Sequence, residues 1–117
     1  MTTMIQNTGT AEHYQWGRVC DGWRLLARAD LSVIQERIPP NAGEIPHYHQ
    51  HARQLFYVLT GELQIQIGEQ MFRLAPGDSI EVAPGNPHRV CNEGTADATF
   101  LVISAPTTQG DRVNLVP

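Results

Sequence analysis

The chain has 117 residues, of which 41% are apolar and 17% are charged. This is enough apolar sequence for one folded core, and too few charges for a disordered chain or a coiled coil. The formal net charge is −4, and all 8 basic residues are arginines. We therefore expect no nucleic-acid partner, because the sequence has no basic patch that would neutralise phosphates.

Neither a membrane-spanning segment nor a secretory leader is expected. No apolar run approaches about 20 residues, the length that a transmembrane helix needs. The first residues lack the basic-then-apolar pattern of a signal peptide, which favours a cytoplasmic protein with no membrane partner. In that compartment Cys20 and Cys91 are expected to be reduced thiols, and a single disulfide between them is the alternative.

Glycine and proline divide the chain into short segments. Residues 1–30 are predicted to form an N-terminal arm that packs on a barrel through Trp16 and Trp23. Residues 31–105 are predicted to form the barrel, because alternating or β-rich runs separated by turns are typical of an all-β fold. Residues 106–117 are predicted to be a polar C-terminal tail. The predicted strands cover residues 31–38, 45–51, 54–59, 63–67, 71–74, 79–83, 88–92 and 98–104.

Histidines near strand ends are candidate metal ligands. His47 and His49 are two residues apart, so on a strand they point to the same side, about 6.6 Å from each other. Two imidazoles at that spacing can bind one ion, whereas His51 would lie about 13 Å from His47 on an extended strand. Gln54 follows a turn and offers an amide oxygen, and His88 opens a later strand and offers a third imidazole. Taken alone, a His-x-His pair is more often an ordinary surface feature.

Two longer segments favour a metal site over an ordinary surface pair. Residues 43–61 resemble the first motif of the cupin family and residues 77–92 resemble the second, with 15 residues between Gly61 and Gly77. Two motifs in this order and at this spacing are similar to those of small single-domain microbial cupins. The resemblance implies a double-stranded β-helix, which is a jelly-roll-like barrel of two sheets. It also implies four metal ligands, with glutamine in place of the usual glutamate: His47, His49, Gln54 and His88.

The resemblance implies one divalent metal ion (Zn, Fe, Ni or Mn) and a small-molecule ligand. Because Gln54 is neutral, the ion would keep its full charge and act as a strong Lewis acid. We expect an enzyme, such as a dioxygenase or an isomerase acting on a small oxygen-bearing substrate. The alternative is a non-catalytic module that binds or senses a sugar or a carboxylate. Phe56, Val58 and Val90 are the predicted substrate-pocket residues.

The sequence does not fix a general base, and four residues near the first motif are candidates. These are Glu36, Glu44, His51 and Tyr57. A homodimer is also expected, because cupins commonly pair through their sheets. Leu55, Tyr57 and Leu59 share the face opposite to Gln54, and such an apolar face needs cover. The cover would come from a second copy or from the N-terminal arm of the same chain.

Overall fold

The computed structural model describes residues 4–115, and the regular structure in that range is entirely β. No helix in the range is long and apolar enough to cross a membrane. The described residues form eleven strands: β1 (Glu12–Trp16), β2 (Cys20–Ala27), β3 (Ser32–Ile38), β4 (His47–His49), β5 (Arg53–Thr60), β6 (Leu63–Ile67), β7 (Gln70–Leu74), β8 (Ser79–Val82), β9 (His88–Cys91), β10 (Ala98–Ala105) and β11 (Arg112–Asn114).

The strands form two sheets. One has six strands in the order β1-β2-β3-β10-β5-β8, and the other has five in the order β11-β4-β9-β6-β7. Neighbouring strands are antiparallel in both sheets, including pairs such as β3 and β10 that are distant in sequence. The predicted all-β barrel of two sheets is confirmed.

The hydrophobic core lies between the two sheets. The six-stranded sheet contributes Phe56, Val58 and Phe100, and the five-stranded sheet contributes Ile65 and Val90, each at most 3% exposed. The residues of β5 alternate between buried and exposed along nearly the whole strand. This is the period expected of a strand that packs on one face only. The same alternation presents the inner residues of β5 to the site described below.

The outer face of β5 stays partly open. Leu55, Tyr57 and Leu59 are 37%, 36% and 38% exposed. Trp16 packs against the core, and the ring of Trp23 lies 5.3 Å from that of His13 between centroids. Residues 4–115 therefore do not bury this apolar face.

Both ends of the chain add strands to the sheets. Residues 12–27, within the predicted N-terminal arm, form β1 and β2 and extend the six-stranded sheet beyond β3. Residues 112–114, within the predicted tail, form β11 and pair with β4. Residues 1–3 and 116–117 of these two segments lie outside the described range. The pairings bring both segments next to the histidines of the central motifs.

Cys20 and Cys91 are both buried and free. Burial raises the pKa of Cys20 to about 11, and it also raises the pKa of Cys91. Both side chains are therefore unreactive thiols at neutral pH, since the thiolate is the nucleophile and the metal ligand.

Candidate metal centre and its cavity

Three histidine side chains meet on the five-stranded sheet. His47 and His49 are the first and last residues of β4, and His88 is the first residue of β9. His47 and His88 are direct partners in the antiparallel β4–β9 pair, so their side chains point to the same side. One ring nitrogen of each histidine lies within 4.8 Å of those of the other two. The structure thus brings the three predicted histidines together.

Backbone carbonyl groups orient two of these rings. Nδ1 of His47 donates to the carbonyl oxygen of Ile45, and Nδ1 of His88 donates to that of Asn86, both at 2.9 Å. Because a carbonyl only accepts, the ring proton is on Nδ1 in both cases and Nε2 keeps a free lone pair. Two of the three rings are therefore fixed in the tautomer that can bind an ion through Nε2.

The imidazoles are neutral at physiological pH. Burial lowers the pKa of His47 to about 3 and that of His49 to about 4. Burial also lowers the pKa of His88. Neutral imidazole is the form that binds metal ions, so the site is ready for a cation without first losing protons.

Three buried polar atoms at this site have no hydrogen-bond partner among the described residues. They are His49 Nδ1, His88 Nε2 and Gln54 Oε1. A buried polar atom without a partner costs free energy, so three at one site indicate a group that the protein itself does not supply. Gln54 donates its Nε2 to Ser104 Oγ at 3.2 Å, which leaves the amide oxygen free to bind another group. Imidazole nitrogens and one amide oxygen suit a divalent transition-metal ion, and the residues present fit such a group.

A cavity of about 180 Å³ opens beside the histidines. It is smaller than the pockets that hold drug-sized ligands, which favours a small metabolite as its occupant. His88 is not part of its lining, and the ring of His88 lies 4.4 Å from that of His47 and 5.6 Å from that of His49 between centroids. The lining comes from both sheets: Tyr14, Trp16, Ile34, Glu36, Glu44, His47, His49, Gln54, Phe56, Val102, Ser104, Thr108 and Arg112.

The three predicted substrate-pocket residues occupy two different places. Phe56 lines the cavity. Val58 and Val90 are not part of the lining, and both are 1% exposed in the hydrophobic core. Val58 is two residues after Phe56 on β5, and Val90 is two residues after His88 on β9. Residues two apart on a strand have their side chains on the same face. Val58 and Val90 therefore lie one layer deeper in the barrel than the site.

Glu44 places a carboxylate at the edge of the histidine cluster. Its Oε1 lies 3.9 Å from Nε2 of His47 and accepts a hydrogen bond from the backbone N–H of Val90 at 3.1 Å. Its Oε2 lies 3.6 Å from Nη1 of Arg112. Burial raises the pKa of Glu44 to about 7. One carboxylate therefore connects the histidine cluster with the C-terminal strand.

A second carboxylate, that of Glu36, faces the cavity from the six-stranded sheet. Tyr14, Gly22 and Glu36 lie in one row across β1, β2 and β3, because Tyr14 pairs with Gly22 and Gly22 pairs with Glu36. Gly22 leaves room for the Tyr14 ring, since a Cβ at this position would be 2.3 Å from Tyr14 Cζ. The Tyr14 hydroxyl reaches across and donates to Oε2 of Glu36 at 3.3 Å.

Glu36 has the properties of an acid–base group. Burial, together with repulsion from Glu44, raises the pKa of Glu36 from its ordinary 4.5 to about 8. The hydrogen bond from Tyr14 favours its ionised form but does not offset the effect of burial. A carboxyl group that lines a cavity and has such a pKa can exchange a proton near neutral pH.

Arg112 brings a positive charge to the cavity. It is the cross-strand partner of His49 in the β11–β4 pair, so its side chain lies on the same side as that imidazole. Its Nε donates to Oδ1 of Asn114 at 2.7 Å, which holds the guanidinium in place. The guanidinium therefore lies within reach of an anionic group bound in the cavity.

Asp111 attaches the C-terminal segment to the turn between β4 and β5. Its carboxylate accepts hydrogen bonds from the backbone N–H groups of residues 50, 51 and 52, at 3.0, 3.0 and 2.9 Å. Burial alone would raise the pKa of Asp111, but these hydrogen bonds hold it below its ordinary value of 3.8. The turn carries His49 at one end and leads to Gln54 at the other, so Asp111 positions two predicted ligands.

The four candidate general bases separate in the structure. Glu36 and Glu44 line the cavity, whereas His51 is exposed on the turn after β4 and Tyr57 lies on the outer face of β5. The structure therefore leaves two carboxylates for this role.

Sequence reasoning did not assign Tyr14 or Arg112 to the site, because both are far from the two motifs. One signal was available, since a glycine inside a strand marks a close approach by a neighbouring group. Gly22 is such a glycine, and the group that approaches it is the Tyr14 ring. No comparable signal marks Arg112, whose place depends on the pairing of β11 with β4.

Two curated proteins are similar in sequence to part of this chain. An uncharacterized protein of Methanocaldococcus jannaschii is 25% identical over 75 residues, which are 64% of this chain and 60% of that protein. The H2HPP isomerase of Bacillus subtilis is 33% identical over 67 residues, which are 56% of this chain and 28% of that enzyme. The chain therefore matches less than two thirds of the length of either curated relative.

The structure of the polyketide cyclase RemF from Streptomyces resistomycificus superposes with a TM-score of 0.84 at 17% identity, covering 99% of this chain and 87% of that one. At this identity the likeness shows the fold alone. The Cupin domain family matches residues 34–104, which is more than half of the 117 residues and includes all three histidines of the cluster. The chain is therefore a member of the cupin family.

Proposed function

We propose that this cupin is a metal-dependent enzyme that moves a proton on a small oxygen-bearing substrate, as an isomerase does. One observation carries the proposal: the cavity beside the three histidines is also lined by the carboxyl group of Glu36. A metal-binding cluster and a separate acid–base group in one small cavity are the two components that such a reaction requires.

The metal ion would be held by His47, His49 and His88, with the amide oxygen of Gln54 as a further ligand. When bound, the ion supplies Lewis-acid polarisation of a carbonyl or enolate oxygen. The apolar side chains of Trp16 and Phe56, which also line the cavity, exclude water from the reacting atoms.

Glu36 would take a proton from the substrate carbon and return it to another atom. Its pKa of about 8 supports this role, because proton transfer is most efficient when the pKa of the group is near the working pH. The Tyr14 hydroxyl, which donates to Oε2, would orient the carboxyl group during both transfers. Arg112 would hold an anionic part of the substrate.

Proton transfer is favoured over dioxygen chemistry for a specific reason. A proton transfer uses the carboxyl group of Glu36 and its raised pKa directly, whereas dioxygen chemistry would depend first on the redox activity of the ion. The printed name of the Bacillus subtilis relative, an isomerase, agrees with this preference.

The test uses a panel of small enolisable carbonyl compounds in deuterium oxide with Zn²⁺- or Mn²⁺-loaded protein. Deuterium uptake by a substrate, followed by NMR and abolished in both His49→Ala and Glu36→Gln, is the expected result. Oxygen consumption without deuterium uptake would replace the proposal with a dioxygenase. Stabilisation by a sugar or carboxylate that persists after chelation, with no turnover, would replace it with a binding module.

A further inference from the structure

The ligand set of this metal site carries no negative charge. Three neutral imidazoles and the carboxamide of Gln54 would leave a divalent cation with its full charge inside the protein. An uncompensated buried charge is costly, and buried charges in proteins are normally paired. The cupin motif usually supplies a glutamate at the position of Gln54, so any compensating charge from this protein has to come from another residue.

Glu44 is the carboxylate in contact with the cluster. It precedes His47 by three residues, and its side chain is 11% exposed. Its Oε1 lies 3.9 Å from His47 Nε2, the ring nitrogen that is free to bind an ion. The hydrogen bond from the N–H of Val90 fixes this oxygen to β9, the strand that carries His88. The position of the carboxylate is therefore set by both strands that carry the histidines.

We propose that Glu44 supplies the negative charge that the glutamate-to-glutamine change at position 54 removes, and so sets the metal affinity of the site. This inference rests on the proposed function only in requiring that a divalent metal binds. Glu44 is a positioning residue that acts through its charge. Glu44 is not one of the direct ligands. The ligand atoms that all lie within 4.8 Å of one another belong to the three histidines and do not include Glu44, whereas any two ligand atoms of one ion are at most about 4 Å apart.

The experiment measures the affinity for Co²⁺ by visible absorption and for Zn²⁺ by competition with a chromogenic chelator. Glu44→Gln removes the charge but keeps an oxygen that accepts from Val90 N–H, so we expect the metal-free variant to fold. We expect at least about tenfold weaker binding of both ions, the usual effect of losing an outer partner of a metal site. Glu36→Gln is the matched control, because it replaces a carboxyl group of the same cavity that is paired with Tyr14 instead of a histidine, and we expect less than about a threefold change.

Restoring the charge at position 54 separates an electrostatic role from a merely structural one. In the Glu44→Gln background, Gln54→Glu is expected to return both affinities to within about threefold of the wild type. A Glu44→Gln affinity that equals the wild type, or a loss that Gln54→Glu does not reverse, overturns the inference and leaves the metal site intact. A wild-type protein that binds neither ion overturns both the inference and the proposed function.

A second variant covers the case in which Glu44→Gln does not fold. Arg112→Gln removes the guanidinium that shares the Glu44 carboxylate at 3.6 Å. With this competitor gone, more of the negative charge acts on the ion, and the direct repulsion between the guanidinium and the cation is removed as well. Both ions are expected to bind at least about threefold more tightly. Unchanged or weaker binding overturns the inference.

Discussion

His47 and His88 face each other across the β4–β9 pair, and their rings are 4.4 Å apart between centroids. This is the closest approach within the histidine cluster, since the other two ring pairs lie 5.0 and 5.6 Å apart. Direct cross-strand partners cannot move apart without breaking the ladder between their strands. The spacing of these two imidazoles is therefore set by the sheet itself.

Replacing His47 by alanine removes one ring nitrogen from this pair. We expect the affinity for Zn²⁺ to fall by at least about 100-fold, because two imidazoles and an amide oxygen are a poor ligand set. Elemental analysis of protein purified without a nickel column, combined with calorimetric titration, measures the change. His51→Ala is the control, because His51 is exposed and only two residues beyond His49. Equal losses in both variants would contradict the assignment of the cluster.

Glu36→Gln changes how the stability of the metal-free protein depends on pH. The pKa of Glu36 is raised from 4.5 to about 8 in the folded state. As the pH rises, the unfolded chain therefore loses this proton before the folded protein does. Ionisation of Glu36 thus lowers the stability of the folded protein increasingly between pH 4.5 and about 8. We expect the variant to be more stable than the wild type above this window, by about 1–3 kcal/mol after allowance for solvent in the cavity. The two proteins should converge below it. Urea unfolding at several pH values tests this, and parallel curves for the two proteins would contradict it.

Gly22→Ala tests the row that joins Tyr14 to Glu36. The new methyl group would overlap the Tyr14 ring, which has to move away from Glu36. We expect a loss of about 1–3 kcal/mol in the free energy of unfolding, the usual cost of overpacking. In a Tyr14→Ala background the same substitution should cost much less. An equal cost in both backgrounds would show that the backbone, and not the ring, requires glycine.

Asp111→Asn weakens the attachment of β11 to the turn at residues 50–52. Asparagine keeps one acceptor oxygen but has no charge, so we expect a loss of about 1–3 kcal/mol at neutral pH. Because the folded-state pKa of Asp111 lies below 3.8, the difference between variant and wild type should disappear as pH falls through that range. Urea unfolding measures the loss, with Asp30→Asn at an exposed position as control. A loss that persists at low pH would contradict the role of the charge.

The homodimer predicted from the sequence stays a prediction. Leu55, Tyr57 and Leu59 form an apolar stripe on the outer face of β5, and each is more than a third exposed. Burying such a stripe against a second copy stabilises a dimer by the hydrophobic effect. Light scattering at micromolar concentration should give twice the chain mass, and Tyr57→Asp should give the monomer. A monomeric wild type would contradict the prediction.

The sequence predicts the strands of the barrel and the histidine cluster because both depend on local signals. In β6 apolar and polar residues alternate with the sheet period, β5 and β10 are rich in β-forming residues, and glycine or proline marks the turns between predicted strands. His47 and His49 are two apart on one strand, which fixes their common face. His88 is a candidate because it opens a later strand, and the resemblance of its own motif to that of cupins assigns it to the same site.

The rest of the site depends on pairings between distant segments. Arg112 reaches the cavity because β11 pairs with β4. Tyr14 reaches it because β1 pairs with β2 and because Gly22 lies between Tyr14 and Glu36 in the sheet. Composition alone does not mark β1 and β11, since Glu12–Trp16 and Arg112–Asn114 are only five and three residues long. Such strands form because a sheet edge is available to them, and this information lies elsewhere in the sequence.

The candidate metal ligands come from the middle of the sequence, whereas part of the cavity wall comes from near its two ends, through Tyr14, Thr108 and Arg112. The candidate ligands and this part of the cavity wall therefore lie in separate stretches of the sequence. Exchanging the outer stretches between homologues should therefore change which molecule fits the cavity, and such chimaeras offer a direct way to give this scaffold new ligands.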